Sequence, residues 1–200
     1  DLLDGHKIIE TLELVGKNIA ICKLHTDIIE NYDDEIKMGI IDVANRYNFL
    51  LMEDRKFSDI SSIVDRQWDK YRGWIDLVTV HGNVTSDVIS KLYGVLLVSD
   101  MSNNTYNHWS SSLKLLEKLP KHIIGFITQK THKNILDTYG IETNKYFFMT
   151  PGINFKNKEE GDQKFRDPKS IDSDIFIVGR GIYNSEDVLE SSEKYKLASL

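Results

Sequence analysis

Seven short apolar runs recur along this chain with amphipathic segments between them, and that alternation restricts it to folds built from repeated β-α units. The runs read as strands at Asn18–Leu24, Phe49–Glu53, Leu77–Val80, Val95–Val98, Ile123–Ile127, Tyr146–Met149 and Asp174–Val178. Ile8, Ile9, Leu12 and Val15 form a helical stripe that stops at Gly16. Further helices are expected over Asp33–Tyr47, Asp59–Tyr71, Thr85–Leu92, Ser111–Leu119 and Ser185–Leu197, with Ser and Thr at plausible N-caps. Seven strands are one short of the eight that close a TIM-type (β/α)8 barrel, and the series opens on a helix. The missing first strand is therefore expected upstream of Asp1, since without it the first and last strands would each expose an edge. No linker or low-complexity tract interrupts the 200 residues, which read as a single α/β domain over 1–200.

Composition narrows the function classes. A formal charge of −6, with lysines scattered among acidic residues, gives no basic stripe for nucleic acid. No apolar run approaches the roughly 18–20 residues of a membrane span, and the amino terminus lacks a signal-peptide pattern. Cys22, the single cysteine, lies in the apolar run Ile19–Cys22 and reads as a small buried hydrophobe. Together these features predict a cytoplasmic protein in a reducing compartment.

The chemistry concentrates in Asp54-Arg55-Lys56-Phe57-Ser58-Asp59-Ile60, directly after the apolar run Phe49–Met52. Asp54 and Lys56 are two residues apart at the carboxyl end of a buried parallel strand, so both point to one side, and carboxyl ends are where α/β folds bind ligands. Lys23, in Lys23-Leu24-His25-Thr26-Asp27 after the first visible strand, can reach the same mouth. Lys23, Asp54, Lys56 and Asp59 would then alternate in sign and hold one another in place before any substrate arrives. The histidines and carboxylates show no metal-ligand spacing, so no metal site is expected. His81 and the three tryptophans Trp68, Trp74 and Trp109 read as structural.

Four motifs in order, Lys23-x-His25-x-Asp27-Ile28, Phe49 through Ile60, Met149-Thr150-Pro151-Gly152, and Asp174 through Gly181, resemble those of the orotidine 5′-phosphate decarboxylase family in its fungal and animal form. The resemblance covers nearly the whole chain. It implies cofactor-free loss of carbon dioxide from orotidine 5′-phosphate to give uridine 5′-phosphate, the last step of de novo pyrimidine nucleotide synthesis, in active sites shared across a homodimer. It further implies that Lys56 is the cation and proton donor at the reacting carbon, that Asp54 lies near the departing carboxylate, and that Lys23 links the charged array to the ribose. Asp59 would be lent by the partner subunit. The remaining expected substrate contacts are His25 near the substrate, Ser102 at the pyrimidine edge, Gln163 and Phe165 in a loop between Pro151 and Pro168, and Gly179 with Arg180 at the phosphate. Arg180 can fork two hydrogen bonds to phosphate oxygens, and the flanking glycines would let the backbone approach.

The chain departs from the family pattern at four places, the first being that the family's first strand, which ends in an Asp that holds the ribose, would lie before Asp1. Phe165 stands where the family has a tyrosine, Lys164 or Gln163 must supply the loop amide, and Ile63 occupies the place of a ribose-contacting threonine. These departures motivate an alternative: a catalytically reduced relative that serves as a nucleotide-binding or protein-interaction module. A third reading is a metal-assisted decarboxylase or aldol-type enzyme that shares the D-x-K-x-x-D strand end.

Overall fold

The computed structural model describes residues 2–101, 107–129, 133–156, 159–160 and 163–200. Strands β1 (Ile21–Leu24), β2 (Leu50–Phe57), β3 (Leu77–His81), β4 (Val95–Val98), β5 (Ile123–Ile127) and β6 (Phe147–Pro151) follow in chain order. After β6 come a short antiparallel pair, β7 (Glu159–Glu160) with β8 (Gln163–Lys164), and then β9 (Ile175–Ile177). All seven expected strands therefore form, and they pair in parallel in the order β1-β2-β3-β4-β5-β6-β9.

The helices are α1 (Gly5–Val15), α2 (Asp34–Tyr47), α3 (Ser61–Trp68), α4 (Ser86–Ile89), α5 (Trp109–Lys118), α6 (Lys133–Thr138), α7 (Arg180–Tyr183) and α8 (Val188–Ala198). Aspartates cap three of them. Asp4 accepts the Lys7 N–H, Asp33 accepts that of Ile36, and Asp187 accepts that of Glu190. The last corrects the expected start at Ser185, whose hydroxyl instead donates to the carbonyls of Ile182 and Asp187. Gly16 does not stop α1 through a left-handed turn. Its φ is −52° and the chain continues as a 3-10 turn, while a Cβ there would lie 2.5 Å from the Tyr47 ring, so this glycine lets α1 and α2 approach.

Alternation along the strands sorts side chains into two layers. One set, including Leu51, Phe57, Val78, Val80, Phe126 and Phe148, packs with Ile36, Ile40, Trp68 and Trp109 from the helices. The other, Met52, Leu77, Leu96, Val98, Ile127 and Met149, fills the barrel interior. Phe57 and Trp68 are almost wholly buried and meet edge to face, each contributing roughly 1.5–3 kcal/mol by burial. Cys22 is buried, and burial pushes its thiol up to about 12, as the apolar reading of this residue requires.

Among the described residues the sheet supplies seven staves of a TIM-type barrel. β1 and β9 are the two edges of the sheet. Outside this gap the helical layer is continuous: the Asn18 amide donates to the Ser192 hydroxyl at 2.9 Å, and the Lys196 ammonium donates to the Lys17 carbonyl at 2.9 Å. Among the described residues no helix is long and apolar enough to cross a membrane.

Candidate active site

β2 does not end at Glu53. It continues to Phe57 across a register shift, in which Glu53 pairs with Val78 and Phe57 with Val80. Four steps along β2 thus match two along β3, so the three residues 54–56 lie opposite Thr79 alone and the strand bulges there. Lys56 sits in this bulge in the left-handed region, at φ 52°. A non-glycine residue held there costs about 1–3 kcal/mol, a cost that functional sites tolerate when their surroundings fix the conformation.

The bulge creates a charge cluster. One oxygen of Asp54, Oδ2, lies 3.0 Å from Lys23 Nζ, 2.9 Å from Lys56 Nζ and 3.3 Å from His25 Nε2. The other, Oδ1, accepts from the Thr79 hydroxyl at 2.8 Å. Burial alone would raise the Asp54 carboxyl, but Lys23, Lys56 and His25 outweigh it and hold the group well below the usual carboxylate range. His25 is lowered to about 4 by burial and by Lys23, against the opposing pull of Asp54. It is therefore neutral at pH 7. Its 2.8 Å contact with Lys23 Nζ is then a hydrogen bond accepted by imidazole, and its approach to Asp54 is not an ion pair.

Lys23, His25, Asp54, Lys56, Phe165, Gly179 and Arg180 all line one cavity of about 590 Å³, which continues through the gap between β1 and β9 to Ile8, Leu12 and Tyr195. The Arg180 guanidinium lies 5.0 Å from the centroid of the Phe165 ring, a stacking that a ring without a hydroxyl performs as well. Arg180 opens α7 directly after Gly179. Gly181 packs closely on α8, since a Cβ there would lie 2.4 Å from the Tyr195 hydroxyl.

One expected member stands apart. Asp59 is exposed, its carboxylate accepts the N–H of Ile60, and it lines a separate shallow groove with Asn83 and Asp87. Within one chain the array is therefore Lys23–Asp54–Lys56, not four alternating charges. The cause is local: α3 begins at Ser61 instead of Asp59, leaving residues 58–60 outside the helix. Ile60 and Ile63 are exposed beside Asp59. Ser102 lies outside the described residues, as do the side chains of Gln163 and Lys164.

Three participants had no motif to announce them. Thr79 sits in an otherwise apolar strand, and its hydroxyl accepts the Lys56 N–H at 2.9 Å. Gln129, two residues after β5, lines the cavity, and its side-chain oxygen accepts from Arg166 at 2.8 Å. Arg166 also donates to the backbone carbonyls of Gln129 and Pro151, which ties the loop after β6 to the carboxyl ends of the adjacent strands β5 and β6. Only the alternation of β3, which puts Thr79 on the same face as Leu77, could have drawn notice to the first. Among the described residues no group of three or more His, Cys, Asp or Glu side chains is arranged to hold a metal ion.

Residues 1–195 match the family described as Orotidine 5′-phosphate decarboxylase / HUMPS family. The chain is 28% identical over 220 residues to orotidine 5′-phosphate decarboxylase of Rhizopus oryzae, covering 99% of this chain and 81% of that protein. It is 27% identical over 220 residues to uridine 5′-monophosphate synthase of Bos taurus, covering all of this chain and 44% of the bovine protein, so it spans less than half of that relative. In fold it resembles orotidine 5′-monophosphate decarboxylase of Methanocaldococcus jannaschii, solved with the inhibitor BMP, at a TM-score of 0.73 and 21% identity, covering 98% of this chain and 94% of that one.

Proposed function

The chain belongs to the orotidine 5′-phosphate decarboxylase / HUMPS family, and from that premise we propose that it is a carboxy-lyase converting orotidine 5′-phosphate to uridine 5′-phosphate in pyrimidine nucleotide synthesis. The observation that carries the reading is the Asp54 carboxylate clamped between the ammonium groups of Lys23 and Lys56 in the barrel-mouth cavity. In the reaction the bond between the pyrimidine ring and its carboxylate breaks, carbon dioxide leaves, and the electron pair stays on the ring carbon. Lys56 then gives that carbon a proton, and solvent restores the proton to Lys56. No cofactor enters the step.

The carbanion has no good resonance sink, so its stabilisation must come from a cation already in place. An ammonium fixed by an ionised neighbour gains strength as negative charge develops and needs no reorganisation. Asp54 supplies that fixation and remains ionised at neutral pH. Arg180, held over Phe165, would take the substrate phosphate, whose binding energy helps to close and dehydrate the site. His25 faces the same cavity as a neutral polar group near the substrate. The protein would act as a homodimer in which Asp59 of one protomer serves the site of the other, as its outward position and the neighbouring exposed Ile60 and Ile63 suit.

The test is the fall in orotidine absorbance when protein and substrate are mixed. Turnover is expected for the native chain, and Lys56→Ala should lower kcat by more than about 10²–10³-fold. Turnover that survives the substitution would overturn the assignment of Lys56. Tight binding of a uridine monophosphate analogue without turnover by the native chain would favour a binding module instead.

A further inference from the structure

Thr79 is a polar side chain placed where β3 faces the barrel interior, between the apolar residues that fill it, and it is 1% exposed. Its hydroxyl is fully used. It accepts the Lys56 N–H at 2.9 Å and donates to Asp54 Oδ1 at 2.8 Å. The first bond replaces a partner that the register shift removes, because residues 54–56 bulge away from the ladder between β2 and β3. The second occupies the one Asp54 oxygen that does not face cations, leaving Oδ2 for the ammonium groups of Lys23 and Lys56. A β-branched side chain on a buried strand has restricted χ1 freedom, so the sheet itself sets where this hydroxyl points.

We propose that Thr79 is a positioning residue for the decarboxylation: its hydroxyl ties the left-handed backbone of Lys56 to the Asp54 carboxylate, so that both charges face the cavity in a single arrangement. Without it, Lys56 would lose the bond that holds its strained backbone, and the Asp54 carboxylate would be free to turn. The Lys56 ammonium, tethered to Asp54 Oδ2 and weakly to the Asp54 carbonyl at 3.5 Å, would then follow that motion away from the reacting carbon. Substrate affinity rests mainly on the phosphate end, so the loss should fall on the chemical step.

This inference rests on the role proposed for Lys56, and the experiment separates the two. Thr79→Val keeps the shape and removes the hydroxyl, whereas Thr79→Ser keeps the hydroxyl. Valine should lower kcat about 10–100-fold with KM within about threefold of native, and serine should restore kcat to within about threefold. Independently of turnover, hydrogen exchange at the Lys56 amide should quicken at least about tenfold in the valine protein and return to native in the serine protein. If the valine protein does not fold, Thr79→Ala carries the same comparison. Native kcat together with native Lys56 exchange in the valine protein would overturn the proposal, as would a serine protein as impaired as the valine one. Absence of turnover in the native chain defeats the decarboxylase reading, while the exchange measurement still decides whether Thr79 holds Lys56.

Discussion

Glu53 and Asp54 are neighbours on β2, yet their carboxyls move in opposite directions because alternate residues face different layers. Asp54 faces the cavity and its cations. Glu53 faces the buried outer layer, where its two oxygens accept the Thr26 N–H at 3.2 and 3.4 Å, and burial raises it to about 7. The linkage differs in sign for each group. Asp54 lies below its ordinary 3.8, so the stability it contributes is present above that value and lost as pH falls through its folded value. Glu53 lies above its ordinary 4.5, so the folded state binds the extra proton and stability falls as pH rises from about 4.5 to about 7. His25, lowered from 6.5 to about 4, gives the reverse slope between those values, because there only the unfolded chain takes a proton. Between pH 4.5 and 6.5 the two oppose each other. Glu53→Gln should remove one slope, so that stability rises from pH 5 to pH 7 by roughly 2–3 kcal/mol more than in the native protein. Urea unfolding across a pH series measures this, and identical pH dependence in the two proteins would contradict it.

At the scale of elements, the β9-α7-α8 segment ties Arg180, the residue proposed above for the phosphate, to the packing of Tyr195. Tyr195 on α8 is buried, and its hydroxyl takes the Phe155 N–H at 3.2 Å, so it cannot easily yield to a Cβ at Gly181. Alanine is preferred over glycine in a helix by about 1 kcal/mol, but an overlap at 2.4 Å with a held ring costs about 1–3 kcal/mol and should win. Gly181→Ala is therefore expected to lower thermal stability and displace α7. Arg180 would then leave the Phe165 ring, raising KM for phosphate-bearing ligands about tenfold with a smaller change in kcat. Adding Tyr195→Phe, which removes the closest atom, should recover part of both losses; unchanged KM and melting temperature in the single variant would show that α7 absorbs the methyl. Sequence reading singled out Arg180 because a basic residue at a strand end is a local signal, whereas the packing of Gly181 on Tyr195, 14 positions away, gives no such signal. The strands were legible for a similar reason, each being a short apolar run. β2 was cut at Glu53 because three charged residues break that run, and their continuation as a bulge depends on a hydroxyl from the next strand. Arg166 and Gln129 went unnoticed because their pairing spans 37 residues and matches no motif.

For the whole molecule, the question is why a charge expected in the array faces outward. Asp59 and the Lys56 bulge are separated by three positions, but β2 ends at Phe57 and α3 starts at Ser61, so the chain turns the two in different directions. An exposed carboxylate beside exposed Ile60 and Ile63 makes no contact with its own chain's cavity, and in the homodimer proposed above it would serve the other protomer's site. That geometry makes a prediction that neither structure nor turnover of single variants can imitate. Lys56→Ala and Asp59→Ala should each be nearly inactive alone, because every site in either homodimer lacks one of the two groups. When equal amounts are mixed and allowed to exchange subunits, about half of the dimers become mixed, and one of the two sites in each mixed dimer is intact. Activity should then rise to about one quarter of the native value. If Asp59 acts within its own chain, each mixed dimer carries one defect at each site, so no recovery follows. If Asp59 has no role in the site, its variant is active before mixing. The time course separates recovery by exchange from contamination, since exchange-limited activity grows after mixing whereas contaminating native protein is active at once.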